Sequence, residues 1–198
     1  MTADRDRRKE LCFVLGGVRS GKSGFALSLA EQRGERVTFI ATAQAGDEEM
    51  RERIARHRQS RPGHWRTVEA PTRIGDALSA AADAEVVVID CLGLLVANLM
   101  GRAEQEAAEA EALVEEEIAA LLAAHRGGGA TLIVVSNEVG MGVVPPYPAG
   151  REFRDLLGRV NQRVAQAADR VYWMLAGLPI EVKASGMAVG LGAENGIA

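Results

Sequence analysis

The stretch VLGGVRSGKSGFALSLA, Val14 to Ala30, passes from an apolar run into a helical pattern through a glycine-rich turn. Gly16, Gly21, Lys22 and Ser23 satisfy G-x-x-x-x-G-K-[ST], with Gly17, Val18, Arg19 and Ser20 between them. That spacing sets a strand before the loop and a helix that begins inside it. Glycines let backbone N–H groups wrap phosphates, and a helix N-terminus favours an anion. Lys22 then reaches the β- and γ-phosphates, and the Ser23 hydroxyl is placed for Mg²⁺. The competing reading, a glycine turn beside a surface lysine, does not account for the strand and helix on either side.

Strand-length apolar runs recur along the chain: LCFVL (11–15), VTFIAT (37–42), EVVVID (85–90), TLIVVSN (131–137) and DRVYWML (169–175). WRTVEA (65–70) is a shorter one. Helical patterns alternate with them. GKSGFALSLAEQR (21–33) is the first. DEEMRERIARHRQS (47–60) follows, acids early and bases late, stopped by Pro62 and Gly63. PTRIGDALSAAAD (71–83) is read as a helix with Pro71 at its start. A long alanine- and glutamate-rich helix is expected over 103–126, stopped by Gly127–Gly129. The last helix is expected from Arg151 to about Ala168, after the loop EVGMGVVPPYPAG (138–150). Most strands are too apolar for an exposed face. The expected class is α/β, a mainly parallel sheet with helices on both faces. PIEVK (179–183) is a candidate antiparallel edge strand. Residues 1–10 read as a charged leader, 11–183 as one catalytic domain, and 184–198 as a glycine-rich tail.

A formal charge of −4 and a pI near 5.5 argue against a broad nucleic-acid surface. No apolar run approaches the roughly 20 residues of a bilayer span. Cys12 and Cys91 lie in or beside apolar runs and read as buried thiols. Together these point to a cytoplasmic protein.

Asp90 closes EVVVID, where a carboxylate would bind Mg²⁺ through water or cap the next helix. Of three histidines, His125 falls in the last turn of the long helix and complements its dipole. His64 precedes Trp65 in a turn and reads as packing or solvent-facing. His57 shares a helix face with Met50 and Ile54, among Arg53, Arg56, Arg58 and Arg61. Surrounding cations disfavour a protonated imidazole, and a neutral one suits attack on a phosphate. The competing reading is a solvated arginine-rich helix. Asn137 and Glu138 follow a strand at the end where open sheets place ligands; Glu138 reads as a metal or substrate residue, or as part of a turn. Arg151, Arg154, Arg159, Asn161 and Arg163 are open between phosphate contacts, subunit contacts and a solvated face.

Four segments together resemble one family. They are GGVRSGKS, FIATAQAGDEEMRERIARHRQSRPGHWRTVEAP, VVIDCLGLLVANLM and VVSNEVGMGVVPPYPAGREFRDLLGRVNQRVAQAADRVYWMLAGLP, in this order from about Leu11 to Lys183. The chain is similar to the bifunctional adenosylcobinamide kinase/adenosylcobinamide-phosphate guanylyltransferases of cobalamin biosynthesis. The resemblance implies a RecA-like P-loop NTPase fold and a homotrimer. It implies that ATP or GTP phosphorylates adenosylcobinamide. A histidine then takes GMP from GTP and passes it to adenosylcobinamide phosphate, giving adenosylcobinamide-GDP. Carried onto this chain, the nucleophile is His57. Some relatives have a second histidine just before it, where this chain has Arg56. Implied guanine-nucleotide contacts are Gly16–Ser23, Thr42, Ala43, Gln44, Arg58, Gln59, Ser60, Arg61, Glu69 and Asp90, with Mg²⁺ on Ser23 and Asp90. Two other readings remain: a monofunctional P-loop kinase of a small hydroxylated metabolite, and a nucleotide-dependent switch protein.

Overall fold

The computed structural model describes residues 9–59, 61–103 and 107–184. Among these residues, seven strands form one sheet: β1 (Leu11–Gly16), β2 (Val37–Ala41), β3 (Arg66–Glu69), β4 (Val86–Asp90), β5 (Thr131–Asn137), β6 (Arg170–Leu175) and β7 (Leu178–Lys183). Their order across the sheet is β3-β2-β4-β5-β1-β6-β7. All neighbours are parallel except β6 and β7, which pair antiparallel as a hairpin. The edge strand expected from PIEVK is therefore present, one residue longer at its start.

The continuous apolar runs have a plain cause. Successive side chains of a strand point to opposite faces, so a strand covered on both sides must be apolar throughout. In β1, Leu11 and Phe13 enter one core while Cys12 and Val14 enter the other. In β5, Leu132 and Val134 face one way, Ile133 and Val135 the other. The first core is covered by α3 (Ile74–Ser79), α4 (Leu92–Met100), α5 (Ala107–Gly127) and α6 (Pro148–Ala167). The second lies under α1 (Lys22–Arg33), through Ala26, Leu29 and Ala30.

Several boundaries depart from the sequence reading. The helix expected from Pro71 begins at Ile74, because the Glu117 carboxylate from α5 accepts the N–H groups of Arg73 and Ile74 and sets the start there. The last helix begins at Pro148, with proline in its first turn where a missing N–H costs nothing. α4 had no counterpart in the sequence reading: LGLLVANLM is apolar almost all round, so it carries no helical stripe. The leader boundary also shifts. Glu10 already belongs to the fold, its carbonyl accepting from Leu132 N at 2.8 Å and its carboxylate pairing with Arg33 and Arg170. Residues 1–8 and 185–198, most of the leader and tail, lie outside the described residues.

α2 (Glu48–Gln59) stands apart. Asp47 starts it, its Oδ1 accepting from Met50 N at 2.7 Å. Among its described side chains none is fully buried; Met50, Ile54 and His57 are half-buried on one face.

Candidate active site

The parallel strands all end at one edge of the sheet, and the loops leaving them surround a cavity of about 870 Å³. That is near the upper end for small-molecule sites, roughly 300–1,000 Å³. Four strand steps separate β1 from β3, which at ~4.8 Å each makes a trough roughly 19 Å long.

The glycine-rich loop forms one end. Val18, Arg19, Ser20, Gly21, Lys22 and Ser23 line the cavity. Two left-handed residues, Arg19 at φ 53° and Gly21 at φ 91°, curl the backbone in the manner that aims successive N–H groups at an anion. Lys22 is buried, and its Nζ donates to Gly17 O at 2.6 Å across the loop. Ser20 Oγ is buried with no hydrogen-bond partner among the described residues. Gly16 is buried and Gly17 half-buried, both behind the cavity wall. A Cβ on Gly16 would come within 2.7 Å of Met174 O, so the loop seats on β6 only with glycine there. The loop is stitched on both flanks: Glu138 N donates to Gly16 O at 3.0 Å, and Gly177 N to Ser20 O at 3.1 Å.

The other strand ends bring the remaining site residues together. Asp90 from β4, Glu69 from β3, Ala43 and Gln44 after β2, and Asn137 from β5 all line the trough. His57, Arg58 and Arg61 reach it from α2 and the segment after it, with Met50 and Ile54 beside them. Arg61 lies 3.5 Å over the Phe39 ring and donates to Thr67 Oγ1 at 3.4 Å. Burial pulls its pKa down, and the Asp90 carboxylate pulls the other way. Ser23 and Asp90 offer hard oxygen donors suited to Mg²⁺. No group of three or more metal-ligating acid, histidine or cysteine side chains occurs among the described residues.

Some expected residues serve otherwise. Thr42 is fully buried and does not line the cavity; its hydroxyl is engaged with Cys91. Gln59 is exposed and lies off the cavity wall. Ser60, and the side chain of Arg53, lie outside the described residues. Asp90 is not the cap of α4; that position is Cys91. The Glu138 carboxylate folds back to accept from Gly140 N and Met141 N at 2.5 and 2.9 Å, closing its own turn. Arg159 and Arg163 pair with Glu111 and Glu115 of α5, and Arg151 donates to the carbonyls of Pro145 and Pro146. Asn161 is buried, bonded to Ser136 and Asn137. Arg154 has one buried guanidinium nitrogen with no partner among the described residues.

The sequence reading missed one wall entirely. Gly93, Leu94 and Ala97 of α4 line the trough, as do Phe39 and Phe153. These are apolar side chains in apolar runs, with no chemical signal to mark them.

Comparison with known proteins agrees with this geometry. The solved ATPase domain of a helicase superposes with a TM-score of 0.51 at 14% identity, covering 83% of this chain and 69% of that one. This likeness shows the RecA-like P-loop fold alone. The bifunctional adenosylcobalamin biosynthesis protein CobU of Escherichia coli is 39% identical over 181 residues, 87% of this chain and 99% of that protein. CobP of Pseudomonas aeruginosa, with the same description, is 43% identical over 173 residues, 86% and 95% of the two chains. The family model for cobinamide kinase / cobinamide phosphate guanyltransferase matches residues 12–182. On that match and those relatives, the chain belongs to the cobinamide kinase / cobinamide phosphate guanyltransferase family.

Proposed function

We propose that this chain phosphorylates adenosylcobinamide and then transfers GMP to the product through His57. The observation that carries the reading is the shared cavity: His57 and the phosphate loop line one trough. A purine triphosphate lies along it, polyphosphate on the loop and base toward Glu69. In the first reaction the acceptor hydroxyl attacks the γ-phosphorus, the bond to the bridging oxygen breaks, and the diphosphate leaves. Lys22 and the loop N–H groups hold the charge on the phosphate oxygens. In the second, an imidazole nitrogen of His57 attacks the α-phosphorus and pyrophosphate leaves. A phosphate oxygen of adenosylcobinamide phosphate then attacks the same phosphorus and His57 is released. Covalent transfer divides one hard displacement into two easier ones. Arg58 and Arg61 offset charge at that end.

Ser23 and Asp90 would hold Mg²⁺, which neutralises the phosphate oxygens when bound. The same reading places the chain in the cytoplasm as a homotrimer, which sedimentation would weigh against a 21.0 kDa protomer.

Labelling with α- and, separately, γ-labelled GTP tests the mechanism. The α-label should attach to the wild type, survive base, be lost in acid and be absent from His57→Ala. Corrinoid phosphorylation with no attached label would leave a kinase alone. GTP turnover indifferent to corrinoid would favour a switch protein.

A further inference from the structure

The loops that shape the far end of the trough are tied together by a side chain that is not itself in its wall. Asn98 of α4 donates from Nδ2 to Thr42 O at 2.8 Å and to Pro71 O at 2.9 Å. Only the NH₂ group of an amide can serve two carbonyls, so the orientation of this side chain follows from its partners. Thr42 begins the loop that carries Ala43 and Gln44 into the cavity, and Pro71 lies two residues past Glu69. Thr42 Oγ1 in turn donates to Cys91 O at 2.8 Å and accepts from Cys91 N at 2.7 Å, fastening that loop to the start of α4. The loops after β2, β3 and β4 thus meet in one knot. It lies at the opposite end of the trough from the phosphate loop: three strand steps, roughly 14 Å, separate β2 from β1.

We propose that Asn98 is a positioning residue for the nucleoside end of the ligand. It sets the separation of the Gln44 and Glu69 loops, and with it the preference for a guanine nucleoside over a bare phosphate chain. The inference rests on the function proposed above only in taking a guanine nucleotide as ligand.

The test compares Mg²⁺-GTP with Mg²⁺-tripolyphosphate, which needs only the phosphate loop, by calorimetric titration. Asn98→Leu keeps the side-chain shape and removes both donors; Asn98→Asp does the same for a chain that does not tolerate leucine. Losing two hydrogen bonds predicts about tenfold or greater weakening of GTP binding. Tripolyphosphate affinity should change less than about twofold. Asn98→Ser, which keeps one donor, should fall between. Parallel loss of both ligands would make Asn98 a general structural residue and overturn the proposal. So would unchanged GTP affinity, or a wild type that binds the two ligands equally. If the split appears but no α-label attaches to the wild type, the catalytic reading fails and the positioning role stands; label without the split is the reverse.

Discussion

Burial decides what Thr42, Cys12, Cys91 and His125 do, and residue type alone leaves each of them open. Thr42 adjoins two cavity-lining residues yet is itself sealed, so its hydroxyl organises a loop. Burial pushes the thiols of Cys12 and Cys91 up to about 11, the latter helped by Asp90. A reversed shift holds for His125, whose pKa is lowered by burial first and by Lys9 next. The expectation of a charged imidazole at the helix C-terminus yields to that burial. At pH 8 roughly one thiol in a thousand is ionised at such a pKa. Iodoacetamide should therefore label the native protein slowly and the unfolded protein quickly at both cysteines. The linkage has a definite sign. The unfolded thiols lose protons near pH 9, before the folded ones, so stability should fall as pH rises from 9 towards 11. Unfolded His125 gains a proton before the folded residue does, so stability should also fall as pH drops below about 6.5. Urea midpoints across that range check both limbs. Lys22, Ser23 and Asp90 were singled out by the loop spacing and a strand end, and His57 by the family resemblance; all four line the cavity. Asn98 was not, because its two acceptors are backbone carbonyls 56 and 27 residues away along the chain.

Elements follow the same division. β1, β4 and β5 were readable to within a residue, since a two-sided core leaves nothing but apolar runs. α4 was not readable, for the related reason that a segment apolar nearly all round carries no stripe, whichever of its faces is buried. α3 is short and its start is decided by Glu117 from another helix, which local pattern cannot report. Its packing is correspondingly tight. A Cβ on Gly75 would stand 3.0 Å from the carbonyl carbon and the Cβ of Ala120 in α5. Gly75→Val should cost about 1–3 kcal/mol by overpacking, read from the denaturation midpoint at unchanged slope. The pairs Arg159–Glu111 and Arg163–Glu115 that join α5 to α6 are largely half-exposed and worth little by comparison.

For the whole molecule, the two ends of the trough differ in how much is built before a ligand comes. The phosphate loop is fastened at Gly16 and Ser20, and Gly21 lies against Gly177, a Cβ on it falling 3.3 Å from that Cα. Among its described side chains, α2 has only the half-buried Met50, Ile54 and His57 on its inner face. The consequence is calorimetric. A phosphate chain entering a finished loop buries little apolar surface, so its binding enthalpy should hardly vary with temperature. A nucleotide that draws Met50 and Ile54 down over Phe39 and Leu94 removes hydrocarbon from water. Its binding should carry a distinctly negative heat-capacity change, and one molecule would then contain both a rigid receptor and a wall that packs only around its ligand.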